Sequence, residues 1–336
     1  MMNFYKILFF LTLMFGTLMA ISSYSWLSMW MGLEINLLSI IPLWKDSKNL
    51  YPAESALKYF ITQSLASSIL LLAIILSLNL KEFFLETFQF LSIIMNSALL
   101  TKMGAAPFHT WFPEVMEGLN WMMSLLMLTW QKLAPMILIF YNYQMSQFLL
   151  IIILSSTILS GILGLNQISL RKILAYSSIN HISWMLASLL QNQMIWVIYF
   201  SIYSIITINL IIIFKIMHIF TLTQLFNSMN FSKSMNFPFS LNFFPLGGLP
   251  PFMGFFPKWL VSNNLILTKF NFLSILLIVF TLITLYFYLR ISFSSLMINF
   301  YESLIFYSKK INFKIFFVNL ISLSGLLACS LIFNYF

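Results

Sequence analysis

Thr101-Lys102-Met103-Gly104-Ala105-Ala106-Pro107-Phe108-His109-Thr110-Trp111-Phe112-Pro113 lies inside an apolar run at 84–119. Gly247-Gly248-Leu249-Pro250-Pro251-Phe252-Met253-Gly254-Phe255-Phe256-Pro257-Lys258-Trp259 lies inside another at 237–268. Each places small residues and proline in mid-run, then aromatics, then a further proline, with a lysine close by. Proline removes a helical donor and clashes with the preceding turn. At membrane depth such a break is tolerated only where protein or a wet cavity covers the freed backbone. Two alike in one chain point to paired discontinuous helices.

The rest of the chain has the composition to surround them with membrane helices. Hydrophobic residues make up 61% of it and charged residues 7%, against about 25% charged in soluble domains. Windows of about 20 apolar residues are needed to cross the hydrocarbon. Such spans read at 4–22, 25–43, 57–79, 84–119 (broken), 121–142, 147–165, 172–190, 194–217, 237–268 (broken), 272–296 and 315–334. Lys6 and the Ala20-Ile21-Ser22 stretch resemble a signal peptide, but the long apolar run and the near-absent loop after it favour a retained helix. The fold class is therefore an all-α polytopic bundle of about eleven transmembrane helices. It forms one membrane domain over 1–336. Each broken span is the fourth in a set of five. The sets, 4–142 and 147–296, form an inverted repeat because five is odd, and the span at 315–334 stands outside it. Transporters place their sites at such breaks.

Alternating the spans sorts the basic residues. Lys81 and Lys269 fall on one side, Lys102, Lys132 and Lys258 stay in the membrane, and the rest of the 17 Lys and Arg fall on the other side. This asymmetry is what the positive-inside rule predicts for a correct count. It puts the N-terminus on the basic side and the C-terminus opposite. The net charge of +9 is thus a topology signal, and its scatter between apolar runs argues against a nucleic-acid partner. Anionic lipid, cardiolipin for example, is the partner expected at the basic side.

Several chemistries are excluded. The single cysteine, Cys329, cannot hold an iron–sulfur cluster, which typically takes four. No glycine-rich phosphate loop appears, and His109, His181 and His218 lack zinc spacing. Redox cofactors, if used, belong to partners. The abundance of Phe (37) and Met (21) against 10 Gly and 10 Pro fits A/T-rich codons and an organelle genome. No import presequence precedes the first span.

Chemistry therefore rests on groups that are costly in lipid. Glu34 and Lys132 fall near mid-span, and Lys102 and Lys258 sit beside the breaks. A charge at a helix centre costs roughly 2.5–3.5 kcal/mol, and intramembrane ionisable residues by default mark ion or proton paths. Burial disfavours a charged lysine and a nearby carboxylate restores it. Moving Glu34 toward or away from Lys102 would switch that lysine between holding and releasing a proton. A hundredfold change in proton affinity is worth about 2.7 kcal/mol, close to the roughly 2.3 kcal/mol needed to move a charge against 100 mV. Pro135 frees the Gln131 carbonyl beside Lys132; packing is the competing reason for it. His181, among Ser177, Ser178 and Asn180, is a further relay candidate, or a bond across helices. His109 is a weaker relay candidate and His218 reads as structural. Glu114 and Glu117 read as a solvated edge or partner contact.

Four blocks carry a family resemblance. They are Lys102–His109, Leu128-Thr129-Trp130-Gln131-Lys132-Leu133-Ala134-Pro135, Leu170–His181 and Gly247–Phe252. With them the chain resembles the antiporter-like membrane subunits of mitochondrial NADH:ubiquinone oxidoreductase (respiratory complex I), in the insect-type form of subunit 2, over essentially its whole length. The family is related to multi-subunit cation/proton antiporters and has fourteen helices, eleven in its animal subunit-2 members. The resemblance implies that Glu34 and Lys102 are the family's Glu–Lys pair, Lys132 the central relay lysine and Lys258 the lysine of the second broken helix. It implies that FMN, iron–sulfur clusters and ubiquinone sites lie on other subunits. It also implies a mitochondrial inner-membrane location, N-terminus in the matrix and C-terminus in the intermembrane space. The leading reading is a proton-translocating subunit. The alternatives are a scaffold whose charges are static ion pairs, and a free-standing cation/proton antiporter, which the lack of an acidic cluster beyond Glu34 disfavours.

Overall fold

The computed structural model describes residues 4–45, 50–79, 85–142, 146–229, 241–250 and 252–296. The expected span at 315–334, the start of the second broken span and Cys329 lie outside the described residues. Within them the chain is helical: α1 Phe4–Ser22, α2 Trp26–Trp44, α3 Tyr51–Asn79, α4 Leu85–Met103, α5 Trp111–Gly118, α6 Trp121–Leu128, α7 Trp130–Tyr141, α8 Ser146–Gly164, α9 Leu170–Leu189, α10 Gln193–Met217, α11 Leu222–Met229, α12 Phe243–Gly247, α13 Phe255–Leu267 and α14 Asn271–Leu296. Seven helical spans among the described residues are long and apolar enough to cross a membrane. Contacts divide the chain into two compact units, Met1–Ser155 and Ser156–Phe336. Each contains one broken helix, α4–α5 in the first and α12–α13 in the second.

In the first unit α1 and α2 form the closest helix pair. Gly16 and Gly32 bring the backbones together: a Cβ on Gly32 would stand 2.6 Å from Ala20 N and 2.8 Å from Gly16 O. With no hydrophobic drive between helices in lipid, small residues that permit such approach set the interface. Ser25 starts α2 by accepting from Ser28 N at 3.3 Å, and the outer faces carry exposed apolar residues such as Leu11 and Leu38. We expect Gly32→Ala to force the pair apart at about 1–3 kcal/mol. A lowered dissociation temperature of the solubilised protein would show it, with the exposed position changed in Leu38→Ala as the neutral control.

The expected single helix at 121–142 is interrupted at Thr129, one turn earlier than Pro135 alone suggests. Thr129 adopts φ −114 and ψ −72. Its hydroxyl takes Leu125 O at 2.8 Å, and Lys132 N closes a short turn onto Thr129 O at 3.2 Å. A threonine hydroxyl bonded to the carbonyl four residues back bends a helix, and Pro135 withholds the N–H that would tie down the next turn.

In the second unit α9 is buried along nearly its whole length. α10 ends at His218, which takes a left-handed conformation (φ 55) with Ile219 N returning to Phe214 O at 3.2 Å. This is the helix-stop geometry in which one residue leaves the right-handed region. A short antiparallel bridge between Ser169 and Thr221 joins the starts of α9 and α11.

Candidate functional site

The first break follows from Gly104. At φ 73 it ends α4, with Gly104 N donating to Thr101 O and Ala105 N to Leu100 O. Neutral side chains also meet carbonyls at the break: Trp111 Nε1 donates to Thr101 O at 3.1 Å, Gln63 Nε2 to Lys102 O at 3.4 Å and Ser155 Oγ to Ala106 O at 3.0 Å. The Lys102 side chain takes no part in this capping. It is 8% exposed, and Tyr59 of α3 is likewise buried.

Glu34 projects from α2 with its Oε1 buried and without a hydrogen-bond partner. Ion pairs within 4.0 Å include Lys58–Glu54 and Lys58–Glu114, and Glu34 and Lys102 are not among them. A carboxylate oxygen left in this state is costly and responds to any movement of its neighbours. The Lys58–Glu114 pair ties α5 to α3 at an exposed edge, where Glu114 was expected.

Lys132 leaves the first turn of α7 with 1% of its surface exposed, its Nζ 5.7 Å from the centre of the Phe112 ring. Its neighbour Gln131 donates through Nε2 to Asn36 Oδ1 at 2.7 Å, and Asn36 is two residues from Glu34. One amide bridge therefore links the helix of the carboxylate to the helix of the buried lysine. His109 is buried beside Pro107 O, 3.3 Å from Nδ1.

The second break is capped differently. Gly248 (φ 77) ends α12, with its N–H bonded to Phe244 O and Pro245 O. Lys258 Nζ then donates to Gly247 O at 2.9 Å and Leu246 O at 3.3 Å. The lysine reaches back from the first turn of α13 onto the open carbonyls of α12, where the helix dipole favours a cation. Trp184 of α9 flanks it, 6.0 Å from Nζ to the ring centroid, and the side chain is 7% exposed.

His181, 5% exposed, sits among phenols that sequence reading did not single out. Its Nδ1 is 2.9 Å from Tyr199 Oη, and the Tyr203 ring lies 4.9 Å from the imidazole, centroid to centroid. Gln131, Asn36, Tyr59 and these tyrosines were missed because they are ordinary interior types in apolar helices. The usable signal was the one-turn spacing of Tyr199 and Tyr203 opposite a polar α9.

Polytopic helices broken around buried lysines define a class, and comparison with known proteins gives the same one. The family model described as NADH:quinone oxidoreductase/Mrp antiporter, transmembrane, matches residues 23–284. The fold is similar to a chain of respiratory complex I from Thermus thermophilus with bound aureothin (TM-score 0.81, 20% identity, 97% of this chain and 77% of that one). It is also similar to a chain of the Mrp complex from a Dietzia species (TM-score 0.77, 14% identity, 96% of this chain and 75% of that one). Among sequences, NADH-ubiquinone oxidoreductase chain 2 of Anopheles gambiae is 48% identical over 287 residues, 85% of this chain and 84% of the relative. That of Locusta migratoria is 44% identical over 290 residues, 86% and 85% of the two chains. The chain belongs to the NADH-ubiquinone oxidoreductase chain 2 family.

Proposed function

We propose that this chain is a proton-translocating membrane subunit of an NADH:ubiquinone oxidoreductase, in the mitochondrial inner membrane with its basic side toward the matrix. The observation that carries the proposal is Lys132, a lysine with 1% of its surface exposed inside a transmembrane helix interrupted one turn earlier. Intramembrane ionisable groups of this kind mark proton paths. Glu34 and Lys102 supply the switch, Lys132 and His181 the relay, and Lys258 the basic group of the second break. Redox energy comes from FMN, iron–sulfur clusters and ubiquinone held by other subunits; the chain's partners are the other membrane subunits of the complex, and anionic lipid meets its basic side. The segments 4–142 and 147–296 are read as two copies of one five-span unit, with the span at 315–334 outside them.

A carboxylate that switches a lysine must be ionisable. Glu34→Gln keeps the side chain's shape and removes the charge. In the assembled enzyme, reconstituted in sealed vesicles, this variant should translocate fewer protons per electron than the parent. A ratio equal to the parent's, in fully assembled enzyme, would leave Glu34 a structural residue and favour the scaffold reading.

A further inference from the structure

The buried phenols around His181 have no part in the path set out so far. Tyr199 and Tyr203 stand one turn apart on α10, 1% and 2% exposed, and Tyr288 of α14 is 2% exposed. Each hydroxyl has a function in the cluster. Tyr199 Oη is 2.9 Å from His181 Nδ1. Tyr203 hydrogen-bonds Ser178 and Tyr288 hydrogen-bonds Ser177. Asn180, between Ser178 and His181 in the chain, donates to Thr284 Oγ1 at 3.1 Å while its Oδ1 is buried without a hydrogen-bond partner. Packing alone calls for phenylalanine at such positions; a hydroxyl in a buried apolar helix is retained at a desolvation cost.

A phenol suits proton transfer because one oxygen both donates and accepts. The hydrogen bond at Nδ1 also decides which imidazole nitrogen carries hydrogen. Resting on the reading of His181 as a relay, we infer that Tyr199 is a further proton-transferring residue of this chain and the partner through which His181 is charged and discharged. In the charging step the Tyr199 O–H bond breaks as an N–H bond forms at His181 Nδ1. The step leaves an imidazolium beside a phenolate, and the pair neither gains nor loses a proton overall. Return of the proton from Nδ1 to Tyr199 Oη discharges the histidine. The Tyr203 ring, tilted 44° against the imidazole, is placed to favour the charged form through its π-face.

The test is Tyr199→Phe in the assembled enzyme, with protons translocated per electron measured beside Lys132→Met and Tyr141→Phe. Tyr141 is an exposed phenol bonded to Ile21 O, outside the cluster. The expected result is a loss in Tyr199→Phe as large as that in Lys132→Met, with Tyr141→Phe unchanged. A loss in Lys132→Met with a normal ratio in Tyr199→Phe overturns the inference and leaves the proposed function standing; normal ratios in both overturn the proposed function as well. Should Tyr199→Phe fail to assemble, turnover-induced infrared difference spectra of the parent enzyme carrying ring-labelled tyrosine decide the matter. An isotope-sensitive phenol C–O band is expected, and its absence overturns the inference.

Discussion

Gly254→Ala is expected to dismantle the second helix break. A Cβ at this position would overlap Pro245 O and lie 2.6 Å from Pro245 C. These are backbone atoms, so no rotamer change relieves the clash; α12 and the start of α13 must separate. Separation withdraws Lys258 from the carbonyls of Leu246 and Gly247 that it caps at 3.3 and 2.9 Å. The cost should exceed the roughly 1–3 kcal/mol of ordinary overpacking. The measurable result is a steep fall in the amount of assembled enzyme. Gly247→Ala is the internal comparison, since its Cβ would meet nothing closer than Leu285 Cγ at 3.5 Å, and that variant should assemble near normally. Assembly of Gly254→Ala at the parental level would contradict the close approach.

Lys258 carries the second large effect, and here two substitutions separate two functions. Lys258→Met keeps an unbranched side chain and removes the ammonium. Two buried carbonyls then lose their donor at about 1–3 kcal/mol each, so both stability and proton translocation should fall. Lys258→Arg returns donors and charge to the α12 carbonyls but cannot release its proton. It should therefore regain thermal stability while protons per electron stay low. A normal ratio in Lys258→Arg would make Lys258 a cap and remove it from the path.

The breaks were legible in the sequence because glycine and proline leave backbone consequences wherever they fall. Gly104 and Gly248 take positive φ and end their helices at the places the two quoted stretches indicate. Glu34, Lys102, Lys132 and Lys258 stood out because ionisable groups are rare and costly in apolar spans. What each side chain does at its site was not legible. Lys258 caps α12 only because Gly254 folds the chain back onto Pro245, a tertiary approach that local pattern does not encode. Lys102 and Lys258 look alike in sequence, yet Trp111 and Gln63 cap the first break and free the Lys102 side chain from that duty. The interruption at Thr129 was displaced from Pro135, since threonine bends a helix only when its hydroxyl turns to the backbone. The amide bridge from Gln131 to Asn36 joins residues 95 positions apart, and the phenols near His181 come from two further helices, α10 and α14. Such groupings need the fold.

The central claim is that a buried lysine in an interrupted membrane helix carries protons, and Lys132→Met tests it most directly. The variant replaces a side chain 1% exposed by an apolar one of similar length, so assembly should survive. The measurement is protons translocated per electron delivered from NADH to quinone, in assembled enzyme in sealed vesicles. A reduced ratio is predicted. An unchanged ratio would contradict the account and make Lys132 part of a scaffold.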